Sequence, residues 1–384
     1  MTSRIKNKLS KKTLLLSLIV AAFLIPIALP ATAVFAVACT PAGSTGLTAF
    51  MVVTHSHTTI SGKTINATGC DVGIYVSPGL SYVTITSTTV TGAGQHGIFV
   101  QDDSHVAITH NLVFNNGVAG KACPAAGPPP PGCIPEDKGI QLVGTSDSIV
   151  SHNVVTNNTA DGGIGIGDDG SQNPGAPLGV AGGSLKAMNV VVSYNTIDDN
   201  AKGCGIVIAT YNPGVGITNV TVRGNTIIGQ APGTPIGPTG PFIGQIVVAT
   251  DAPSVTISDV KVIGNSLNGA FLPGIVVHAN VFGDKILNTR IVGNTVANTG
   301  YYPGPPNATS NTPTSFQGTT GISIVAENTA STSPRAVISH TTISGNTVLG
   351  VNNGVWLCFT KHTTITGESG NPTHAKVTCV SGGS

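Results

Sequence analysis

The chain has 384 residues, of which 40% are hydrophobic, 9% are charged and 4% are aromatic. The hydrophobic content excludes an intrinsically disordered protein, which needs low hydrophobicity and high net charge. The net charge of +1 excludes a protein that is basic overall, as nucleic-acid-binding proteins usually are. So few charges also do not suit a surface of amphipathic helices. The composition therefore predicts an all-β protein with a surface rich in Ser, Thr and Asn.

Residues 1–38 have the pattern of a secretory signal peptide. Five basic residues and no acid within residues 1–12 precede an apolar run over residues 14–29, and small residues follow before Cys39. We expect cleavage after residue 38, a secreted or cell-envelope protein, a single domain over residues 39–384, and no membrane span once the signal is removed. An uncleaved membrane anchor is the alternative, which the shortness of the run disfavours. Lipidation of Cys39 also stays open.

A repeated pattern organises the rest of the chain. It consists of an apolar residue, two spacers, an Asn, one spacer and an aliphatic residue. We expect each Asn to occupy a tight turn in the left-handed region and to stack into a hydrogen-bonded ladder, because Asn tolerates that conformation and its amide both donates and accepts. The predicted ladder contains Asn111, Asn153, Asn195, Asn225, Asn265, Asn294 and Asn346.

A second pattern alternates with the first and predicts short strands with aliphatic residues at every other position. We expect the Gly that begins most of these strands to follow a bend that needs a permissive backbone. The strands begin at Gly73, Gly97, Gly139, Gly163, Gly205, Gln245, Gly274, Gly321 and Gly354. Such short strands bury their aliphatic faces only if successive coils stack on one another.

These V-x-x-N-x-[IVL]…G-I-x-[IVL] coils resemble the right-handed parallel β-helix (PbH1) repeats of the pectate-lyase-like superfamily, over roughly residues 55–366. The resemblance implies an all-β, right-handed parallel β-helix solenoid of about nine to ten coils. It does not choose a function, because the superfamily includes polysaccharide lyases, glycoside hydrolases, uronan epimerases, adhesins and periplasmic accessory proteins of the NosD type.

No catalytic residue is assigned from the sequence. The lyases of the superfamily use an Arg or Lys base on the outward sheet, whereas Arg223 and Arg290 lie near the Asn turns instead. The signature motifs of β-helix polygalacturonases and of mannuronan epimerases are absent. If the protein is an enzyme, the resemblance leaves a lyase, a hydrolase or an epimerase open.

Four insertions rich in Gly and Pro interrupt the coils, at residues 117–138, 170–186, 230–243 and 299–319. They either mark a binding side of the rod or merely cover an exposed apolar face. Small outward residues (Gly165, Gly167, Ala209 and Ala249) predict a shallow trough over coils four to six that holds an extended glycan. The predicted ligand-binding residues are Asp168, Asp169, Gln141, His278, Tyr301 and Tyr302.

Calcium is the one cofactor that the sequence suggests. Asp168 and Asp169 form an acidic doublet beside the trough and would bind Ca²⁺ if the glycan carries uronates, because carboxylates are ligands that Ca²⁺ prefers. Turn residues that hydrogen-bond their own backbone are the alternative interpretation of this doublet.

The seven cysteines of an exported chain predict disulfides. We expect Cys123–Cys133 to close a Pro-rich loop and Cys358–Cys379 to staple the C-terminal coils. Cys39 and Cys70 are placed to do the same at the N-terminal end, but sequence leaves their partners open. Cys204 is expected to be buried and inert.

Two functions remain open at this stage. The first is a secreted protein that binds or acts on extracellular polysaccharide or another cell-surface component. The second is a non-catalytic structural or adhesion protein of the cell envelope, or a NosD-like periplasmic accessory protein. No nucleic-acid partner is expected.

Overall fold

The computed structural model describes residues 38–43, 45–117, 138–159, 162–168, 185–198, 200, 204–210, 212–229, 244–250, 252–269, 273–279, 283–299, 319–326 and 336–378. These residues form β-strands and connections and contain no helix. None of them belongs to a helix long and apolar enough to cross a membrane. The predicted signal peptide and most of each predicted insertion lie outside the described residues.

Three long sheets run along the molecule, and their strands are numbered in chain order. Sheet A contains β1 (Thr40–Pro41), β2 (Thr48–Val53), β5 (Val72–Val76), β8 (His96–Gln101), β11 (Ile140–Val143), β14 (Gly162–Gly167), β17 (Cys204–Thr210), β20 (Ile246–Thr250), β24 (Ile275–Ala279), β28 (Thr320–Ala326), β32 (Asn353–Cys358) and β36 (His374–Thr378).

Sheet B contains β3 (Thr59–Ser61), β6 (Thr84–Thr86), β9 (Ala107–Thr109), β12 (Ile149–Ser151), β15 (Ala187–Ser193), β18 (Ile217–Arg223), β21 (Thr256–Ser258), β22 (Lys261–Ile263), β25 (Lys285–Leu287), β26 (Arg290–Val292), β29 (Val337–Ser339), β30 (Thr342–Ser344), β33 (Thr360–Lys361) and β34 (Thr364–Thr366). Sheet C contains β4 (Thr64–Asn66), β7 (Thr89–Thr91), β10 (Leu112–Phe114), β13 (Val154–Thr156), β16 (Thr196–Asp198), β19 (Thr226–Ile228), β23 (Ser266–Asn268), β27 (Thr295–Ala297), β31 (Thr347–Leu349) and β35 (Ser369–Gly370).

Each coil contributes strands to sheets A, B and C in turn, and corresponding residues of successive coils pair in parallel register. Ile98 pairs with Ile140, and Ile140 pairs with Ile164. All described pairs between coils are parallel, and the ten strands of sheet C correspond to ten coils. This confirms the predicted parallel β-helix of nine to ten coils.

The core is a continuous column of Val, Ile and Leu inside the coils. Every second residue of each strand points into it, as Ile98 and Val100 of β8 do, and both side chains are fully buried. One cluster joins core residues from Val53 to Leu357 without a break. Burial of this repeated aliphatic column is the main stabilising term of such a rod.

Gly stands at the start of most sheet A strands for a reason different from the one we expected. Gly97 and Gly139 do not adopt a positive φ. A Cβ on Gly97 would instead lie 2.6 Å from the carbonyl oxygen of Gly139 and would collide with Val113. The corner between sheets C and A brings backbone and core side chains so close at these positions that a Cβ would not fit, and the expectation of a permissive backbone was wrong there.

The seven repeated Asn residues form a continuous buried ladder between sheets B and C. In its middle, the backbone N–H and the Nδ2 of Asn225 both donate to Oδ1 of Asn265, at 2.9 Å each. Nδ2 of Asn225 also donates to the carbonyl oxygen of Val192 at 3.0 Å. The C-terminal member, Asn346, donates instead to Glu368. The ladder satisfies buried turn groups and fixes how each coil sits on the next.

The left-handed residue of this turn is not the Asn, as we had expected, but the residue before it. His110 has φ of 57° and Gly224 has φ of 62°, whereas Asn111 and Asn225 have no positive φ. The side chain of the left-handed residue therefore points outward while the Asn side chain points inward. A shorter second ladder of Asn116, Asn158 and Asn200 lies at the other end of sheet C.

The N-terminal end of the rod is closed by β1, which pairs antiparallel with β2. A disulfide joins Cys39 to Cys70 there. Cys358 is also disulfide-bonded, but Cys379, its predicted partner, lies outside the described residues, as do Cys123 and Cys133. Cys204 is a buried thiol.

Replacing Asn225 by Ala should lower the free energy of unfolding by about 3 kcal/mol, because Asn195 then loses the acceptor for its backbone N–H and for its Nδ2 inside the turn. Denaturant unfolding of both proteins measures the change. Asn268→Ala, on the next coil but exposed, is the control and should stay close to wild type. Equal loss in both variants would show that the ladder does not carry this stability.

Candidate functional site

The outward face of sheet A is buried, so the predicted trough is not an open surface. The expected floor residues Ala209 and Ala249 are 2% and 5% exposed. They pack with Cys204, Val207, Val247 and Val276 in an apolar cluster outside the coils. An apolar face of this size is unfavourable in contact with water.

Asp168 lies at the end of β14 and is held by the turn of the next coil. Its Oδ1 accepts a hydrogen bond from Nδ2 of Asn212 at 3.1 Å, and its Oδ2 accepts one from the backbone N–H of Gly216 at 3.2 Å. The carboxyl is 3% exposed, and burial raises its pKa from 3.8 to about 7, against the lowering effect of these hydrogen bonds. Asp168 therefore fastens the connection between sheets A and B.

This placement does not favour a calcium site at Asp168. Both carboxylate oxygens are engaged by protein donors, and the side chain has almost no access to solvent. Within the described chain, no three His, Cys, Asp or Glu residues are grouped to hold a metal ion. Asp169, the other predicted ligand, lies outside the described residues, so the calcium site stays a prediction.

The other predicted glycan contacts on sheet A are also buried where they are described. Gln141 is 3% exposed, and its side chain leans over Gly165, where a Cβ would collide with it. His278 is fully buried between Ala249 and Val325. Tyr301 and Tyr302 lie outside the described residues. The structure thus gathers Gln141 and Asp168 near one another but shows neither side chain to solvent.

Sequence reasoning missed a buried polar group on the same face. The ring of His96 stacks on Phe99 with centroids 4.9 Å apart, and its Nδ1 accepts a hydrogen bond from the backbone N–H of Lys138. Burial and the Lys138 charge lower the pKa of His96 to about 3. An imidazole held neutral so firmly cannot donate a proton as a general acid near neutral pH. Its one sequence signal is Gln95-His96-Gly97, a partial echo of the Gly-His-Gly motif of β-helix polygalacturonases, from which no role was assigned.

The outer surface of sheet B is different, because most of its outward residues are exposed or half-buried and all its strands are described. We call this surface the lateral wall. It consists of the outward residues of sheet B and two columns of left-handed residues that run along it. Its strands come shortly before the Asn turns in the chain, whereas the undescribed segments fall in connections next to sheet A strands.

The first column, ridge 1, crosses the middle of sheet B. Its ten residues have φ between 49° and 60°, which turns each side chain outward at the same place on its coil. They are His57, Tyr82, His105, Asp147, Asn189, Asn219, Asp259, Asn288, His340 and His362. The second column, ridge 2, separates sheets B and C and carries the residue before each ladder Asn. Its side chains are those of Ser87, His110, His152 and Tyr194.

Neighbouring side chains on the ridges form ladders of rings and amides. Tyr82 stacks between His57 and His105, with ring centroids 4.9 and 4.6 Å apart. On ridge 2, His152 lies 5.0 Å from His110 and 5.3 Å from Tyr194. Because the ring faces contact each other, the polar ring edges point to solvent at the spacing of the coils.

Amide side chains continue ridge 1 beyond the rings. Nδ2 of Asn189 donates to Asp147, and Nδ2 of Asn219 donates to Asn189, each at 2.8 Å. Tyr82 and Tyr194 are 51% and 52% exposed, so the wall offers open hydrogen-bonding groups along its length. Sequence reasoning missed this surface, although its residues stand at fixed offsets from the ladder Asn, one and six residues before it in most coils.

Comparison with known proteins bears on the fold. The sequence pattern that defines the family described as "Right handed beta helix region" matches residues 48–295. No curated protein sequence matches the chain.

Solved structures with a similar course of the chain include an enzyme and an adhesin. The mannuronan C-5 epimerase AlgE4 A-module of Azotobacter vinelandii has a TM-score of 0.45 and 13% identity, over 86% of this chain and 79% of that chain. The surface adhesin PfbA of Streptococcus pneumoniae has a TM-score of 0.43 and 11% identity, over 86% of this chain and 89% of that one. At these levels the likeness concerns the general course of the chain, and no activity follows from it.

Replacing Asp103 by Asn should flatten the pH dependence of stability. Asp103 is 2% exposed and accepts a hydrogen bond from the backbone N–H of Leu80, and burial raises its pKa from 3.8 to about 7. The folded protein then keeps a proton that the unfolded chain has lost, so the free energy of unfolding falls as pH rises from 3.8 to about 7.

Urea unfolding at several pH values in this window measures the slope for wild type and variant. Asp147→Asn, at an exposed carboxylate, is the control and should keep the wild-type slope. A variant at Asp103 with the full wild-type slope would contradict the assignment of the proton to this carboxyl.

Proposed function

The chain belongs to the right-handed beta helix family, and we propose that it is an extracellular polysaccharide-binding protein that holds its ligand on the lateral wall without cleaving it. The observation that carries this proposal is the exposed, uninterrupted wall, whose polar groups repeat once per coil. The outward face of sheet A offers no comparable open surface in the described chain.

The repeat of the wall suits an extended polymer. Its ring edges recur at centroid spacings of 4.6–5.3 Å along the ridges, and amides continue ridge 1 between coils that lack rings. This spacing is comparable with the length of one sugar residue in an extended chain, so successive sugars meet equivalent groups. Hydroxyls of Thr59, Thr84, Thr109 and Thr221 lie between the ridges and add donors and acceptors that sugars use.

The wall lacks a pair of carboxylates for glycoside hydrolysis. Its described acids are Asp147 and Asp259, and each accepts a hydrogen bond from a neighbouring Asn. They lie three coils apart on ridge 1, about 14 Å at ordinary strand spacing. The paired carboxylates of glycosidases lie within about 10 Å of each other. This separation supports binding rather than hydrolysis.

Replacing Tyr82 and Tyr194 together by Asn should weaken glycan binding about tenfold, because two exposed ring edges are lost at roughly 0.7 kcal/mol each. Asn is chosen because it tolerates the positive φ at both positions. Affinity electrophoresis on a panel of neutral and acidic polysaccharides measures the change.

The matched control is Asn115→Gly with Asn157→Gly, two left-handed residues on the far edge of sheet C. The control should bind as wild type does, and no sugar should be released from any polysaccharide. Failure of the wild type to bind any member would favour a purely structural envelope protein. Release of new reducing ends or unsaturated uronates would overturn the non-catalytic part of the proposal.

A further inference from the structure

Four cations of the lateral wall lie together on three consecutive coils. Lys261 and Arg290 occupy the same outward position of neighbouring strands and pair directly in register. Arg223 lies on the preceding coil, two residues along from Thr221, the partner of Lys261. Lys285 stands on the same coil as Arg290, on the other side of ridge 1. We call Arg223, Lys261, Lys285 and Arg290 the basic strip.

The strip is not neutralised within the described chain. None of its four cations forms an ion pair with a described acid, and three of them are exposed. Two described acids lie close to them in the chain. Asp259 accepts a hydrogen bond from Asn288 at 3.1 Å, and the buried Asp284, next to Lys285, accepts one from the backbone N–H of Val255 at 3.4 Å. Arg223 lies over the ring of Tyr194, 5.8 Å from its centroid. Like charges directly opposite on paired strands destabilise a sheet, so the Lys261–Arg290 pair costs folding energy unless an anion lies over it.

We infer that the basic strip binds the anionic groups of an acidic polysaccharide, with the charge carried by carboxylate or sulfate. This rests on the proposed function, to which it adds the ligand's charge and the part of the wall that recognises it. Arg223 and Arg290 present guanidinium forks that match such groups, and the two Lys residues add point charges.

The surroundings of the strip favour a glycan over a single-stranded nucleic acid. Nucleic-acid channels combine cations with aromatic faces on which bases stack. Among the described residues, the ring of Tyr194 lies next to the strip, and its face is taken up by Arg223. Between the cations lie Ser258, Thr221 and aliphatic Ile263, which suit the hydroxyls and C–H groups of sugars.

The strip also accounts for how a chain with little net charge attracts a polyanion. The protein as a whole carries +1, but screening limits the reach of charges to about 8–10 Å at moderate salt. A polymer that lies on the three coils carrying Arg223, Lys261 and Arg290 therefore responds mainly to the local cations of the strip. No calcium bridge is needed for this contact.

The test compares charged and neutral polymers of the same backbone: carboxymethyl dextran and dextran sulfate against dextran, and carboxymethylcellulose against hydroxyethylcellulose. We expect the charged members to bind at least tenfold more tightly at low salt and to lose this advantage at high salt. Lys261→Gln with Arg290→Gln should reduce binding to charged members about tenfold and leave neutral members unchanged.

Lys63→Gln with Lys376→Gln is the control, because it removes the same charge at exposed positions outside the strip. It should bind as wild type does, and thermal melts should show that both double variants fold. A single-stranded oligonucleotide is the last probe, and it should bind more weakly than dextran sulfate.

Each outcome decides the inference. Equal binding of charged and neutral polymers, or equal losses in the strip and control variants, overturns it and leaves the proposed function standing. Failure to bind any polysaccharide overturns both. An oligonucleotide that binds as tightly as the charged glycans, and through the same two cations, also overturns it.

Discussion

The buried Asn ladder fixes the register on which every other feature of the molecule depends. Each ladder Asn before Asn346 gives its backbone N–H and its Nδ2 to the Oδ1 of the Asn in the next coil, as Asn225 does to Asn265. A coil that slipped by one residue would leave several of these groups buried without partners, at a cost of about 1–3 kcal/mol each. Equivalent positions are therefore held one above another, inside the rod and on its surface.

Columns on the outside follow from this register. The residue before each ladder Asn is left-handed, so its side chain points outward wherever it is not Gly, and the residues of ridge 1 repeat on every coil in the same way. Where the sequence places rings in such a column, as at His110, His152 and Tyr194, they stack. Where it places cations, as at Lys261 and Arg290, they are brought side by side despite their repulsion.

The outward faces of sheets A and B differ in polarity and in exposure to solvent. The outward residues of β17 and β20 on sheet A are mostly apolar. They are buried, as are Gln141, Asp168 and His278. The outward residues of sheet B and of its ridges are mostly hydroxyls, amides, imidazoles and cations, with some aliphatic residues among them, and most of them are exposed or half-buried. A ligand that needs many weak polar contacts therefore finds them on sheet B, and the high pKa values of Asp103 and Asp168 reflect burial in corners rather than preparation for chemistry.

The sequence by itself determined the parallel β-helix, its coil count and the identity of the ladder Asn residues, because each of these follows from local periodicity that repeats in every coil. It misjudged the reason for the Gly at each sheet A strand, because the close approach of Gly97 to Val113 and Gly139 is a contact between different coils. It could not show that Asp168 is fastened to Asn212 and Gly216, more than forty residues further along the chain. Only the tertiary structure assembled the basic strip, since Arg223, Lys261, Lys285 and Arg290 are spread over almost seventy residues of the chain. They become neighbours only when coils of unequal length are stacked in register.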